Sequence, residues 1–234
     1  MTCLVLIDRS DDTKTSDIAF LAKALSKESV SLCIAWDLPY VWIYHASEPV
    51  NKPGHWEMVF EDDSDDLKHF SAWHGVDSAG DPYSRTMSRR GAVDLAGSHE
   101  AFETLGNPYV SQWAPMPFMQ GVECAKEVCD PVQGDWFTVS VTIFGETRKV
   151  RLQNYVLPAW FDEAAPGPYD RMGLCKRPGE IRPGGYMPLR KDGKAYSAWG
   201  RKIPAWQFRK RAIVRGLMER KLHGGRFAGV LENA

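Results

Sequence analysis

The run Gly97-Ser98-His99-Glu100-Ala101-Phe102-Glu103-Thr104-Leu105-Gly106-Asn107-Pro108 limits most tightly what this chain can fold into. Its spacing predicts a helix over 92–105 that stops at Gly106-Asn107-Pro108. Glycine and asparagine tolerate the left-handed terminal conformation, and proline cannot carry the helix onward. On that helix His99 and Glu103 lie four residues apart, one above the other on the same face. An imidazole and a carboxylate so stacked can both bind one divalent ion. Glu100 follows His99 as the glutamate follows the first histidine of HExxH, where it takes a proton from the attacking water. HExxE is thus HExxH with a carboxylate replacing the second imidazole, and zinc accepts both ligand types. An anionic ligand weakens the positive field on the water. The plain alternative is an exposed His–Glu face with an ordinary helical side-chain pair.

The elements around this helix define an order. Residues 3–7 read as a buried strand, 10–12 as a turn, and 15–27 as a helix capped by Thr15 or Ser16. Residues 30–36 and 40–45 read as strands separated by Pro39, followed by strands at 56–60, 69–76 and 82–87. The acidic run Glu61–Asp66 reads as a solvated loop, because it lacks the glycine and spaced ligands of a calcium loop. Strand, helix, strand, edge strands and then the motif helix is an order shared with zincin-type metallopeptidases. Farther on, 136–144 and 147–157 read as a hairpin turning at Gly145-Glu146. Residues 162–185, rich in Pro and Gly, read as irregular, and 204–222 as a basic amphipathic helix starting at Pro204. The expected fold is α+β: a zincin-like twisted mixed sheet with the HExxE helix beneath it, an irregular second half and a C-terminal basic helix. Residues 1–200 form the domain and 201–234 its extension.

A metal held by His99 and Glu103 needs a third ligand from downstream. Glu127, in Glu127-Val128-Cys129-Asp130 and 24 residues beyond Glu103, is the choice, with Asp130 as its supporting partner or alternative. Glu100 is the catalytic base, and Zn2+ the expected cofactor, another divalent ion remaining open. His74 lines the cleft or adds a ligand, or is a satisfied strand histidine. Tyr155 and Tyr186 either steady an oxyanion or pack. Trp160 reads as core, and His45, His55 and His69 as non-ligands. The five cysteines contain no CxxC pair and read as reduced buried thiols; Cys124 and Cys129 lack a second zinc half-site.

Five collinear blocks carry a resemblance. They are Ala72-Trp73-His74-Gly75; Ser98-His99-Glu100-Ala101-Phe102-Glu103 with Asn107-Pro108; Glu127-Val128-Cys129-Asp130-Pro131-Val132; Gln153-Asn154-Tyr155-Val156-Leu157-Pro158-Ala159-Trp160-Phe161; and Gly184-Gly185-Tyr186. In block order the chain resembles, over roughly residues 15–200, a family of bacterial and phage-encoded proteins without a settled activity. The resemblance implies a zincin-like metal site. The chain departs from it where Asn107 and Asn154 replace aspartate.

Composition is that of a globular chain: 234 residues, 44% apolar and 25% charged. The net charge of −1 hides a cancellation, because 201–226 carries nine basic residues against Glu219, leaving about −9 on the rest. Arg209, Lys210, Arg211 and Arg215 therefore offer a docking face for an acidic protein partner, with nucleic acid the lesser expectation. The alternative is a helix packed on its own acidic domain through its aliphatic stems. Two functions follow. One is a zinc-dependent hydrolase, of metallopeptidase type, acting on a peptide or protein. The other is a phage virion structural or interaction protein on a metallopeptidase-like scaffold, docking through the basic helix. The apolar run at the N-terminus spans only five residues and no run approaches a membrane span. Synthesis in the cytoplasm without signal peptide or membrane segment is expected, with a virus particle as an open destination.

Overall fold

A computed structural model describes residues 1–200 except 12, 51, 63–71 and 89–92. The expected basic helix with Arg209, Lys210, Arg211 and Arg215, most of the acidic run, and His69 lie outside the described residues. The fold is α+β.

The first sheet grows from β1 (Cys3–Asp8), whose Leu4–Ile7 run is buried on both faces. Such a run belongs in the middle of a sheet. It pairs in parallel with β2 (Trp42–Ala46) and with β3 (His55–Glu61). Beyond β3 come β5 (Pro82–Met87), parallel, and β4 (Ala72–Val76), antiparallel to β5 at the edge. The order is β2-β1-β3-β5-β4. Alternation then sorts β1: Leu4 and Leu6 enter the main core, while Cys3, Val5 and Ile7 face a smaller cluster with Ala46 and Val50.

Helix α1 (Thr15–Trp36) corrects the reading of 30–36 as a strand. No glycine or proline interrupts it, and Leu32 and Cys33 continue the buried face begun by Ile18, Leu21 and Leu25. The β-branched Val30 and Ile34, which suggested a strand, lie on the solvent side at 42% and 77% exposure. Tertiary burial overrides a weak propensity. The helix stops at Asp37, which is left-handed (φ 52°), with the Leu38 N–H closing back on Cys33 O. The N-cap is Lys14 with no side-chain cap; Thr15 Oγ1 donates instead to Asp8 Oδ2 at 2.9 Å.

Helix α2 (Val93–Gly106) packs on α1, β4 and β5. Gly97 permits this approach, since a Cβ there would stand 2.8 Å from Leu21 and 3.0 Å from Phe60. The hairpin β8 (Trp136–Ile143) and β9 (Glu146–Gln153) turns at Phe144-Gly145 and packs on both helices. Its second strand ends at Gln153, four residues short of the expected 157.

The second half is less irregular than expected. The segments β6 (Trp113–Pro115), β7 (Glu123–Ala125), β10 (Tyr186–Lys191) and β11 (Lys194–Trp199) form an antiparallel sheet ordered β11-β10-β7-β6. Two of these strands have three residues, too few to show a period. Pro188 disguised a third: β7 pairs only with Leu189 and Arg190, so the proline sits where β10 has a single neighbour, β11. Residues 162–185 hold only an isolated bridge, Val156 to Asp170. Trp160 is fully buried, and no helix among the described residues is long and apolar enough to cross a membrane.

Candidate metal centre

α2 turns His99, Glu100 and Glu103 toward the chain segment that follows β7. Glu103 Oε1 accepts the backbone N–H groups of Cys129 and Asp130, each at 3.2 Å. Those bonds anchor the short 3-10 turn Asp130–Val132 onto the helix. They leave Glu103 Oε2 free to face both imidazoles, 3.2 Å from His99 Nε2 and 3.6 Å from His74 Nδ1.

His74 comes from the antiparallel edge strand β4, where it pairs with Ser84. Its Nδ1 lies 3.1 Å from Glu100 Oε2 and its Nε2 lies 3.4 Å from Glu127 Oε2. Asp130 Oδ1 stands 3.3 Å from His99 Nε2. Six ionisable side chains therefore converge from one strand, one helix and one loop. Five are buried, and His99 is the partly exposed member.

Supporting groups fix this loop. Asn107, just past α2, donates from Nδ2 to Glu127 Oε1 at 3.1 Å. The Tyr186 hydroxyl lies beside Asp130 and favours its charged carboxylate. Gly185 makes that placement possible: a Cβ there would fall 2.2 Å from Pro131 O. The Gly-Gly-Tyr block is thus a close backbone approach that delivers a phenol to the cluster.

The electrostatics show a site short of positive charge. Burial opposes the charge on His74, yet Glu127, Glu100 and Glu103 outweigh it and raise the imidazole to about 9. His99 is raised well above its usual range by Glu103 and Asp130, again against burial. Burial and the neighbouring carboxylates push Glu127 up to about 8. Burial and Glu103 push Asp130 up to about 7, against the pull of His99 and Tyr186. Glu103 is lowered: burial works against its charge, but His99, His74 and the Cys129 backbone amide overcome it. Even so, His74 Nε2, Glu127 Oε2 and Asp130 Oδ1 are buried without a well-formed hydrogen bond among the described residues. Orphaned buried polar atoms are costly. Their chemistry, imidazole nitrogen and carboxylate oxygen, is that of ligands for a divalent cation. The residues present therefore fit a metal ion.

Among the described residues, two donor triads have ligand atoms within 4.8 Å of one another: His99, Glu103 and Cys129, and His74, Glu100 and Glu103. The expected set of His99, Glu103 and Glu127 is arranged differently. His99 and Glu103 meet, but Asp130 is the carboxylate beside His99, and Glu127 stands beside His74. Tyr186 joins the cluster through Asp130. Tyr155 does not present its hydroxyl to it: the ring packs edge-on against Phe102, and the hydroxyl donates to Glu28 Oε1 at 2.9 Å. Sequence reasoning gave Cys129 no part beyond the unmatched half-site. Its only signal was adjacency to Asp130. All five cysteines are buried and unpaired.

No protein family, curated protein or solved structure matches this chain.

Proposed function

We propose that the chain is a metal-dependent hydrolase of zincin type, with zinc as the metal and a peptide or protein as substrate. One observation carries the reading: two imidazoles and four carboxylates are packed together, and three of their buried ligand atoms lack a well-formed hydrogen bond. Without a cation such a cluster is expensive to fold. The order β1, α1, β2, β3, β4, β5, α2, with an antiparallel edge strand beside the motif helix, supports the zincin-like scaffold.

A divalent ion held there supplies Lewis acidity, polarising a carbonyl and acidifying water. The chain supplies the rest. His99 and Glu103 hold the ion from consecutive turns of α2, joined by Asp130 from the loop. Glu100 accepts a proton from the attacking water and returns it to the leaving amine. His74, 3.1 Å from Glu100 Oε2, keeps that carboxylate aimed between the two transfers. The test is hydrolysis of an unfolded protein substrate by zinc-loaded protein. Glu100→Gln should still carry metal and lose at least ~100-fold in rate. Full hydrolysis by Glu100→Gln, or a folded protein that binds no divalent ion, would sink the reading.

A further inference from the structure

We infer that the centre is dinuclear: two divalent ions share Glu103, one held also by His99 and Asp130, the other by His74 and Glu100. The inference rests on the metal-site reading above and adds a second ion to it; that ion replaces the direct His74 contact at Glu100 Oε2, and the other Glu100 oxygen is then the proton acceptor.

The geometry makes Glu103 a bridge. Its Oε1 is used by two backbone amides, so its single remaining oxygen serves both imidazoles, at 3.2 Å and 3.6 Å. Ligand atoms ~2.1 Å from one ion lie roughly 3.0–3.6 Å apart. The His99–Asp130 pair at 3.3 Å and the His74–Glu100 pair at 3.1 Å both meet that spacing. The two donor triads share Glu103 alone; on the His99 side the third member of the triad is Cys129, and Asp130, 3.3 Å from His99 Nε2, is the adjoining carboxylate. Ions bridged in this way sit ~3.5–4 Å apart in two-metal enzymes.

The orphaned atoms also fall into place. Asp130 Oδ1 becomes a ligand on the His99 side. An ion on His74 Nδ1 fixes the Nε2–H tautomer, and Glu127 Oε2, 3.4 Å away, receives that proton. Glu127 then positions His74, and Asn107 in turn holds Glu127.

The test is metal stoichiometry of the full chain, stripped with a chelator and titrated with Zn2+ or Mn2+. Wild type should bind two ions per chain, and His74→Ala and Glu100→Gln one each. Electron paramagnetic resonance of the Mn2+ form should show a spin-coupled pair in wild type and an isolated six-line signal in His74→Ala. If a variant fails to fold by circular dichroism, the wild-type stoichiometry and spectrum decide alone. One ion per wild-type chain with an uncoupled spectrum overturns the second ion and leaves the hydrolase standing. No ion in folded wild type overturns both. Two coupled ions without hydrolysis of any peptide supports the dinuclear centre and overturns the hydrolase.

Discussion

Two asparagines show how finely single residues set this site. Asn107 Oδ1 accepts the backbone N–H groups of Ser111 and Gln112, each at 3.1 Å, which turns its amide N–H2 onto Glu127. An aspartate there would keep the two backbone bonds but set a second carboxylate against Glu127. Asn107→Asp should therefore cost ~1–3 kcal/mol in metal-free protein. Zinc binding should weaken ~10–100-fold, as when a supporting group behind a ligand is lost. Denaturant melts and zinc titration read the two effects, and unchanged affinity would remove Asn107 from the account. Asn154 repeats the device away from the centre, donating to Asp170 Oδ1 at 2.9 Å. Burial works against the Asp170 carboxylate, but backbone amides and that donation hold it below its usual range. At both positions the asparagine donates to a neighbouring carboxylate where an aspartate would set a like charge. Tyr155 gives a converse prediction. Its hydroxyl is spent on Glu28, so Tyr155→Phe should lose ~1–2 kcal/mol of stability while zinc binding stays at the wild-type value. A variant with weakened zinc binding would return Tyr155 to the cleft.

At the scale of elements, the site depends on how closely backbones approach. Pro131 O lies where a Gly185 side chain would begin, and backbone cannot rotate away as a flexible side chain can. Gly185→Ala should push the Asp130–Val132 turn off β10, destabilise the protein by ~3 kcal/mol and weaken metal binding. A crystal structure or melt showing wild-type behaviour would refute that dependence. The contact also explains what the sequence left readable. His99, Glu100 and Glu103 were legible because helical periodicity fixes their face without help from the rest of the chain. The first sheet was legible where strands are long and apolar, as at Leu4–Ile7, and hairpin β8–β9 where a turn separates two alternating runs. The partnering of loop carboxylates was not. Whether Glu127 or Asp130 meets His99 depends on the register of β4 against β5, on three-residue strands and on the Gly185 approach, all of them long-range. The helix error at 30–36 has the same origin, because burial of Leu32 and Cys33 against distant residues outweighed the β-branched signal of Val30 and Ile34.

For the whole molecule, the cluster sets how stability responds to pH. In metal-free protein, His74 is raised from its usual 6.5 to about 9, Glu127 from 4.5 to about 8 and Asp130 from 3.8 to about 7. For each, the folded state holds a proton that the unfolded chain has already released. Each contribution is therefore complete below the unfolded pKa and is lost as pH rises through the folded one. His99 has the same sign, and Glu103, lowered by its neighbours, adds an opposite slope only at acid pH below its ordinary range. Metal-free protein should consequently melt at steadily lower temperature between pH 5.5 and 8.5. Divalent ions reverse the demand, since ligands bind as neutral imidazole and carboxylate and release their protons on binding. Apparent zinc affinity should rise across the same window. Saturating metal, which stabilises the folded state by mass action, should flatten the slope or invert it. Melting temperatures at pH 5.5, 7.0 and 8.5, with and without metal, test this directly. A metal-free melting temperature that rises with pH would mean that the buried carboxylates are already charged and balanced within the protein. The central argument for a cation at this centre would then be lost.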